Sequence, residues 1–258
     1  MRVTVCELRN DPAGLEEDWA GLAEHVKSEG SNLVLLPEMP FFRWLAADRE
    51  VSAAVWADAV RAHQDWVGRL PELGASTVLW TGPVVENDQR FNEAAVWTRD
   101  DATVRPAHRK RYLPNEAGFW EASWYERGDG SFDPLDTPGG RLGFMICTEI
   151  WFQQHARAYG QQGVQLIASP RATLESSADK WLAGGRSCAV VSGAYSLSSN
   201  FSGSAGAHGE WAGLGWIVEP EEGEVLGTTS RAEPFLTREI ALEVADTAKT
   251  TYPRYVED

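Results

Sequence analysis

Short apolar runs alternate along the chain with longer segments in which apolar residues recur every three or four positions. Continuous apolar runs are typical of strands buried on both faces, and the helical spacing is typical of helices that cover a sheet. The predicted strands are 3–8, 33–36, 77–85, 94–98, 142–147, 165–168, 189–198, 214–218, 224–228 and 235–242. The predicted helices are 11–30, 48–70, 153–162 and 176–187. This alternation predicts an α/β fold.

The segments between these elements are predicted to be loops. A basic stretch covers 105–112, an aromatic stretch follows it to Gly130, and a stretch rich in Gly and Ser covers 199–209. No internal repeat, long linker or low-complexity tract interrupts the pattern. We therefore expect a single domain over 1–258, with a short polar tail from about 244 to 258.

The composition excludes several classes of function. The 258 residues carry a formal net charge of −15, and a surface this acidic repels phosphate backbones, so nucleic-acid binding is not expected. No apolar stretch approaches the length of a membrane span, and the first residues lack the pattern of a signal peptide. The 3 cysteines show no close pairing, which favours a reducing compartment. We expect a cytoplasmic protein that does not bind membranes.

Cys147 is the first candidate for chemistry. It follows an apolar strand and precedes a helical segment, so its thiol lies where a helix presents free N–H groups. Such groups lower the pKa of a thiol and bind a developing oxyanion. Packing is the alternative, because free cysteines are among the most buried residues. Cys6 and Cys188 lie inside apolar segments and are interpreted as packing residues.

Glu38 and Lys110 are two further candidates. Glu38 follows the buried strand 33–36, at the edge where open α/β sheets bind ligands. A carboxylate partly removed from water there has the raised pKa that a general base needs. Lys110 lies in the cationic run 108–111, and a lysine near a thiol would stabilise negative charge on a substrate oxygen. The alternatives are a strand-end carboxylate that reaches water and a solvated cationic face.

Other catalytic templates are not matched. The 5 histidines are scattered and form no H-E-x-x-H motif, and there is no paired C-x-x-C, so no metal site is expected. The sequence has neither a G-x-x-x-x-G-K-[ST] phosphate loop nor a G-x-S-x-G elbow. Ser177 and Lys180 match S-x-x-K, a short pattern that arises easily by chance. A serine amidase that uses them is kept as an alternative.

Taken together, three blocks of sequence resemble the catalytic blocks of the nitrilase superfamily of carbon–nitrogen hydrolases. They are 35–38 (Leu-Leu-Pro-Glu), 109–114 (Arg-Lys-Arg-Tyr-Leu-Pro) and 143–147 (Gly-Phe-Met-Ile-Cys). The pattern is nearest to the amidase, N-carbamoyl amidase and β-alanine synthase branches, and the resemblance covers nearly the whole chain. It implies a four-layer αββα sandwich, with two mixed β-sheets flanked by helices. It also implies a homodimer or a higher homo-oligomer.

The resemblance implies a catalytic role for each block. Cys147 would be the nucleophile and Glu38 the general base. Lys110 would face the oxyanion together with the backbone N–H of Thr148. The implied reaction is hydrolysis of a small linear amide or N-carbamoyl compound through a cysteine thioester, with release of ammonia or an amine. No cofactor or metal is implied.

A fourth catalytic residue is implied by the loop after the lysine. Residues 119–125 (Phe-Trp-Glu-Ala-Ser-Trp-Tyr) are similar to the loop that carries a further glutamate in the amidase branches. That glutamate helps to position the substrate and to transfer protons. Glu121 is therefore the candidate, and Glu116 is an open competitor.

Substrate-binding residues are predicted near these positions. Arg171 lies where the pocket of the family begins, and a guanidinium suits a substrate carboxylate. A structural arginine paired with Glu149 or Glu175 is the alternative. Phe42 and Trp151 are predicted to line the pocket, although large aromatic side chains are more often core residues.

Two alternatives to an amidase share the fold. One is a nitrile hydrolase of the same superfamily, although Thr148 stands where true nitrilases have Trp or Tyr after the cysteine. The other is a catalytically silent binding protein.

Overall fold

Twelve strands and six α-helices make up the part of the chain that the computed structural model describes, residues 1–256. The strands are β1 (Arg2–Leu8), β2 (Leu33–Leu35), β3 (Thr77–Glu86), β4 (Gln89–Thr98), β5 (Thr103–Arg109), β6 (Leu135–Thr137), β7 (Gly140–Phe144), β8 (Leu166–Pro170), β9 (Tyr195–Phe201), β10 (Trp216–Val218), β11 (Val225–Thr228) and β12 (Phe235–Glu239). The helices are α1 (Pro12–Glu29), α2 (Ala53–Val67), α3 (Glu121–Trp124), α4 (Gln153–Gln161), α5 (Ala178–Ser192) and α6 (Leu242–Ala248).

The strands form two sheet halves. The first half has the order β12-β1-β2-β3-β4-β5, and the second has the order β6-β7-β8-β9-β10-β11. Both halves mix parallel and antiparallel pairs. Strand pairing joins the halves where Glu7 pairs with Asn200 and Leu8 with Phe201, at the ends of β1 and β9.

An apolar core lies between the two halves. Val3 and Val5 of β1 belong to it, as do Leu142 and Phe144 of β7. These are alternate residues on each strand, as the two-residue repeat of a strand requires when one face is directed inward.

Helices cover both outer faces. Trp19 of α1 packs with Val78 of β3, and Tyr159 of α4 and Cys188 of α5 pack with Ile167 of β8. The order of layers is therefore α-β-β-α, which confirms the predicted sandwich. Within residues 1–256, no helix is both long and apolar enough to cross a bilayer.

The basic stretch 105–112 is not the predicted loop over its first half, because residues up to Arg109 belong to β5. This strand lies at the edge of its sheet half, and most of its residues are exposed or half-buried, so it carries no apolar run. Pro106 sits where the register with β4 shifts. Edge strands and bulges tolerate proline and charge, which explains why the pattern concealed a strand.

The border between α5 and β9 also differs from the prediction. The apolar residues 189–191 continue the helix, which ends at Gly193 in the left-handed conformation (φ 63°). The following strand, β9, runs to Phe201 and takes in the first residues of the predicted loop 199–209. A short apolar run fits a buried helix as well as a strand, so periodicity could not locate this border.

The predicted polar tail contains helical structure. Helix α6 extends to Ala248 and buries Ala245 and Ala248. Residues 257–258 of that tail lie outside the described residues.

The packing of β3 yields a stability test. Leu79→Ala removes a fully buried side chain from the core between the sheet halves, and we expect it to lower the free energy of unfolding by about 2–5 kcal/mol. Val85→Ala is the matched control on the same strand, because Val85 is 55% exposed, and it should change stability by less than about 0.5 kcal/mol. Urea unfolding measures both. Equal losses would contradict the layer assignment.

Candidate active site

Cys147 lies at the turn that follows β7, as the first residue of a short 3-10 helix, Cys147–Trp151. Its backbone has a φ of 47°, a left-handed conformation that a residue with a side chain adopts only when the surroundings hold it there. The backbone of Ala172 approaches the thiol and lowers the pKa of Cys147 slightly. Thr148 is the second residue of the turn, where a helical N–H has no partner within the helix.

Lys110 follows β5 directly and is 1% exposed. Its backbone N–H is held by the carbonyl of Asn92 on β4, at 2.9 Å. Its Nζ donates to Oε1 of Glu38 at 2.7 Å and to Oε2 of Glu121 at 2.6 Å. The structure thus brings three of the predicted residues into direct contact.

Glu38 is fully buried beyond the end of β2. Its Oε1 accepts from Lys110 and also from Nδ2 of Asn92, at 2.8 Å. Its Oε2 has no hydrogen-bond partner within residues 1–256. This oxygen is therefore free to accept a proton.

Glu121 begins α3 and is also fully buried. Its Oε2 accepts from Lys110 and from the hydroxyl of Tyr125, one helical turn along. Burial raises the pKa of Glu121 to about 7, against the lowering effect of Lys110. Glu116 instead lies exposed at the rim of the cavity. Of the two competing glutamates, the structure places Glu121 against the lysine.

The buried charges of Glu38 and Lys110 influence the protonation of the Cys147 thiol. Burial raises the pKa of Cys147, the charge of Glu38 raises it further, and Lys110 opposes both. Burial lowers the pKa of Lys110, but Glu121 and Glu38 more than offset this, so its pKa is raised and the ammonium persists. The resting thiol is therefore protonated and needs a base to become a nucleophile.

A cavity of about 310 Å³ opens onto the thiol. Glu121, Cys147 and Thr148 form part of its wall, and Lys180 and Trp181 of α5 form another part. No group of three His, Cys, Asp or Glu side chains suited to a metal ion occurs in residues 1–256.

Arg171 is fully buried and does not form part of the wall of this cavity. Its guanidinium donates to Ser198 Oγ, to Thr173 Oγ1 and to the carbonyl of Leu214, each at 2.7 Å, and lies 4.0 Å from the centre of the Trp216 ring. The structure corrects the sequence-based expectation, because these contacts give Arg171 a packing role and not a substrate-facing one.

The expected alternative partners of Arg171 are also different in the structure. Glu149 bonds to His108, and the backbone of Glu175 bonds to the carbonyl of Glu210. The guanidinium is instead held by neutral hydroxyl and carbonyl groups, and burial lowers the pKa of Arg171 to about 9.

The two predicted aromatic residues lie near the cavity rather than in its wall. Trp151 packs on Trp181, with ring centres 5.1 Å apart, and Nζ of Lys180 lies 5.4 Å from the centre of its ring. Phe42 packs against the buried cluster around Trp44. Trp151 supports two side chains that line the cavity. Phe42 is half-buried, and the centre of its ring lies 5.7 Å from Cζ of the exposed Arg43.

Three functional residues were missed from the sequence. Asn92 and Glu149 carry no recognisable motif, because their contacts span 54 residues to Glu38 and 41 residues to His108. Tyr125 could have been found, since it lies only four residues after Glu121, directly beyond the short helix α3.

Comparisons with known proteins identify the family of this chain. A family model described as carbon-nitrogen hydrolase matches residues 2–250. The chain is 28% identical over 243 residues to a chloroplastic omega-amidase of Arabidopsis thaliana, a match that covers 89% of this chain and 64% of the relative.

Two solved structures are similar in fold. A carbon-nitrogen hydrolase from Helicobacter pylori G27 has a TM-score of 0.86 at 22% identity, with 99% of this chain and 94% of that chain covered. A mutant of the amidase from Nesterenkonia sp. AN1, which shows the result of Michael addition of acrylamide at its active-site cysteine, has a TM-score of 0.77 at 21% identity, with 95% of each chain covered.

The chain spans 64% of the length of the omega-amidase, and the two solved structures establish the fold. The family model matches almost all of the chain, and the three sequence blocks that carry Glu38, Lys110 and Cys147 lie within the match. This chain therefore belongs to the carbon–nitrogen hydrolase family, within the nitrilase superfamily.

Proposed function

We propose that this protein hydrolyses the carbon–nitrogen bond of a small linear amide or N-carbamoyl compound through a thioester on Cys147. The observation that carries the proposal is the buried Lys110, held between Glu38 and Glu121 beside the thiol. A buried acid and cation in direct contact, both of which act electrostatically on a buried thiol, can supply a base, an oxyanion partner and a nucleophile. The amidase relatives support the same reaction class.

In the first step, Oε2 of Glu38 takes the proton of the Cys147 thiol, and the thiolate attacks the carbonyl carbon. The carbonyl π electrons move to oxygen, which becomes an oxyanion. Lys110 has three N–H donors and uses two on carboxylates, so the third can face this oxyanion. The backbone N–H of Thr148 is the second donor.

In the second step, the oxyanion reforms the carbonyl and the carbon–nitrogen bond breaks. The proton held by Glu38 passes to the nitrogen, which leaves as ammonia or an amine. Water then attacks the thioester while Glu38 takes one of its protons. The carbon–sulfur bond breaks, the thiol recovers the proton, and the acid product leaves.

Glu121 has a supporting part in this scheme. Its Oε1 has no hydrogen-bond partner within residues 1–256, and its carboxyl forms part of the cavity wall. It can therefore hold the amide nitrogen of a substrate while its Oε2 fixes Lys110. Its pKa of about 7 allows it to exchange protons near neutrality.

Cys147→Ala tests the nucleophile. We expect it to reduce ammonia release from small amides and ureido acids by at least about 10⁴-fold, since no other group in the scheme forms the acyl intermediate. Cys188→Ala is the matched control, because Cys188 is also a buried free cysteine but lies on α5 and packs with Ile167 of β8. Intact-mass analysis should detect an acyl adduct in the control protein only.

The alternatives to an amidase predict different results when the same assay is extended to nitriles. Turnover of nitriles without turnover of amides would indicate the nitrile hydrolase, and binding without any adduct would indicate a silent binding protein. Full activity in Cys147→Ala would favour the serine amidase that uses Ser177 and Lys180.

Glu121→Gln tests the acid limb of the pH profile. The pKa of Glu121 is raised to about 7, so its carboxylate is present above that pH and is lost as the pH falls through it. We expect kcat/KM of the unmodified protein to fall below about pH 7 for this reason. The variant should lose about 10²–10⁴-fold in rate and lose this limb.

Glu126→Gln is the control for that variant, since Glu126 is exposed and lies five residues further along the same segment. It should keep both the rate and the pH profile. An acid limb that persists unchanged in Glu121→Gln would show that another group sets it.

A further inference from the structure

The side chain of Glu149 links the two catalytic segments to each other. Its Oε1 accepts from the backbone N–H of Arg111 at 2.7 Å, and its Oε2 accepts from the backbone N–H of Ile146 at 2.8 Å. Arg111 directly follows Lys110, and Ile146 directly precedes Cys147. One fully buried carboxylate therefore ties together the backbone beside the lysine and the backbone beside the nucleophile.

His108 completes this arrangement and fixes its charge. Its Nε2 lies 2.8 Å from Oε2 of Glu149, and its Nδ1 lies 3.0 Å from the carbonyl of Ser131. A carbonyl only accepts, so Nδ1 carries a hydrogen. Oε2 is an acceptor that already receives the N–H of Ile146, so Nε2 carries a hydrogen as well. His108 is therefore an imidazolium paired with the Glu149 carboxylate.

The surroundings favour this charged pair. Burial lowers the pKa of His108, but the charge and hydrogen bond of Glu149 more than offset it, and the charge of Asp129 adds to the rise. The Phe132 ring lies 4.5 Å from the imidazole, and His155 stacks on that ring. His155 is half-buried and bonds to the Tyr112 hydroxyl, and its own pKa is lowered by burial, so it adds no opposing charge near neutrality.

We propose that the Glu149–His108 pair is a positioning device that sets the placement of the Cys147 thiol relative to Lys110, and that loss of the His108 proton releases it. The inference rests on the proposed function. Cys147 has a left-handed backbone that its surroundings must hold, and the link at Ile146 holds the residue before it. A displacement of about 1 Å at a reacting group can cost about 100-fold in rate.

The two acceptors that face His108, the Ser131 carbonyl and the Glu149 carboxylate, determine how the positioning device responds to pH. When His108 loses a proton, the ionic attraction to Glu149 is lost, and a ring nitrogen without a hydrogen then faces one of the two acceptors, the Ser131 carbonyl or the Glu149 carboxylate. The device is therefore intact below the folded-state pKa of His108, which is raised, and it fails as the pH rises through that value.

Glu149→Gln tests the link, because an amide has one acceptor oxygen and must leave either Arg111 or Ile146 without a partner. We expect kcat to fall about 100-fold while KM changes by less than about threefold. Glu93→Gln is the matched control, since Glu93 pairs with Arg109 beside Lys110, at 2.6 Å, and does not contact the nucleophile turn. The control should keep kcat within about threefold.

His108→Gln tests whether loss of the His108 proton releases the positioning device. It also tests the proposal if Glu149→Gln does not fold. A glutamine amide can donate to Glu149 but does not titrate, so the alkaline fall in kcat should move to higher pH. His155→Gln, on the far side of Phe132, should keep the original profile. Superimposable alkaline limbs in the unmodified protein and His108→Gln would overturn the proposal.

The rate of Cys147 alkylation by iodoacetamide is measured in the same variants by intact mass. It should fall about tenfold in Glu149→Gln at neutral pH, because Glu38 no longer meets the thiol correctly. This readout needs no amide turnover, so a failure of the proposed function is distinguishable from a failure of the device. Unchanged kcat and unchanged alkylation in folded Glu149→Gln would overturn the device.

Discussion

A lysine ammonium that water does not reach is the feature on which this site depends. Removing an isolated ammonium from water is unfavourable by several kcal/mol, so Lys110 is stable only because Glu38 and Glu121 both bond to it. The arrangement leaves one excess negative charge next to a neutral thiol. Charge that develops on a substrate oxygen can therefore use the third N–H of the ammonium without any reorganisation.

The scaffold explains how such distant residues meet. Glu38, Lys110 and Cys147 each follow the end of a strand, and the strands belong to both sheet halves. Cys147, the proposed nucleophile, has a strained backbone, and the buried contacts around the turn hold it. Glu149 provides one such contact on the side of Lys110, so the geometry of the site depends on the packing of the sandwich.

The apolar runs predicted most of the strands, and the residues at the strand ends predicted part of the candidate site. The continuous run before Glu38 and the strand before Cys147 pointed to two of the candidate groups, and the resemblance supplied Lys110 and Glu121. Arg171 was misjudged because position along the chain says nothing about which way a side chain turns, and its partners lie up to 43 residues away. Edge strand β5 and the Glu149–His108 pair escaped detection for a related reason, since both are defined by contacts between distant segments.

The most direct test is a crystal structure of the protein with a small aliphatic aldehyde, which adds to a thiol to give a tetrahedral hemithioacetal. The hemithioacetal oxygen should lie about 2.7–3.1 Å from both Nζ of Lys110 and the backbone nitrogen of Thr148. Lys110 should keep both carboxylate contacts in that complex. An adduct whose oxygen points into the open cavity, with Lys110 contacting only the two glutamates, would contradict the assignment of the lysine as the oxyanion partner.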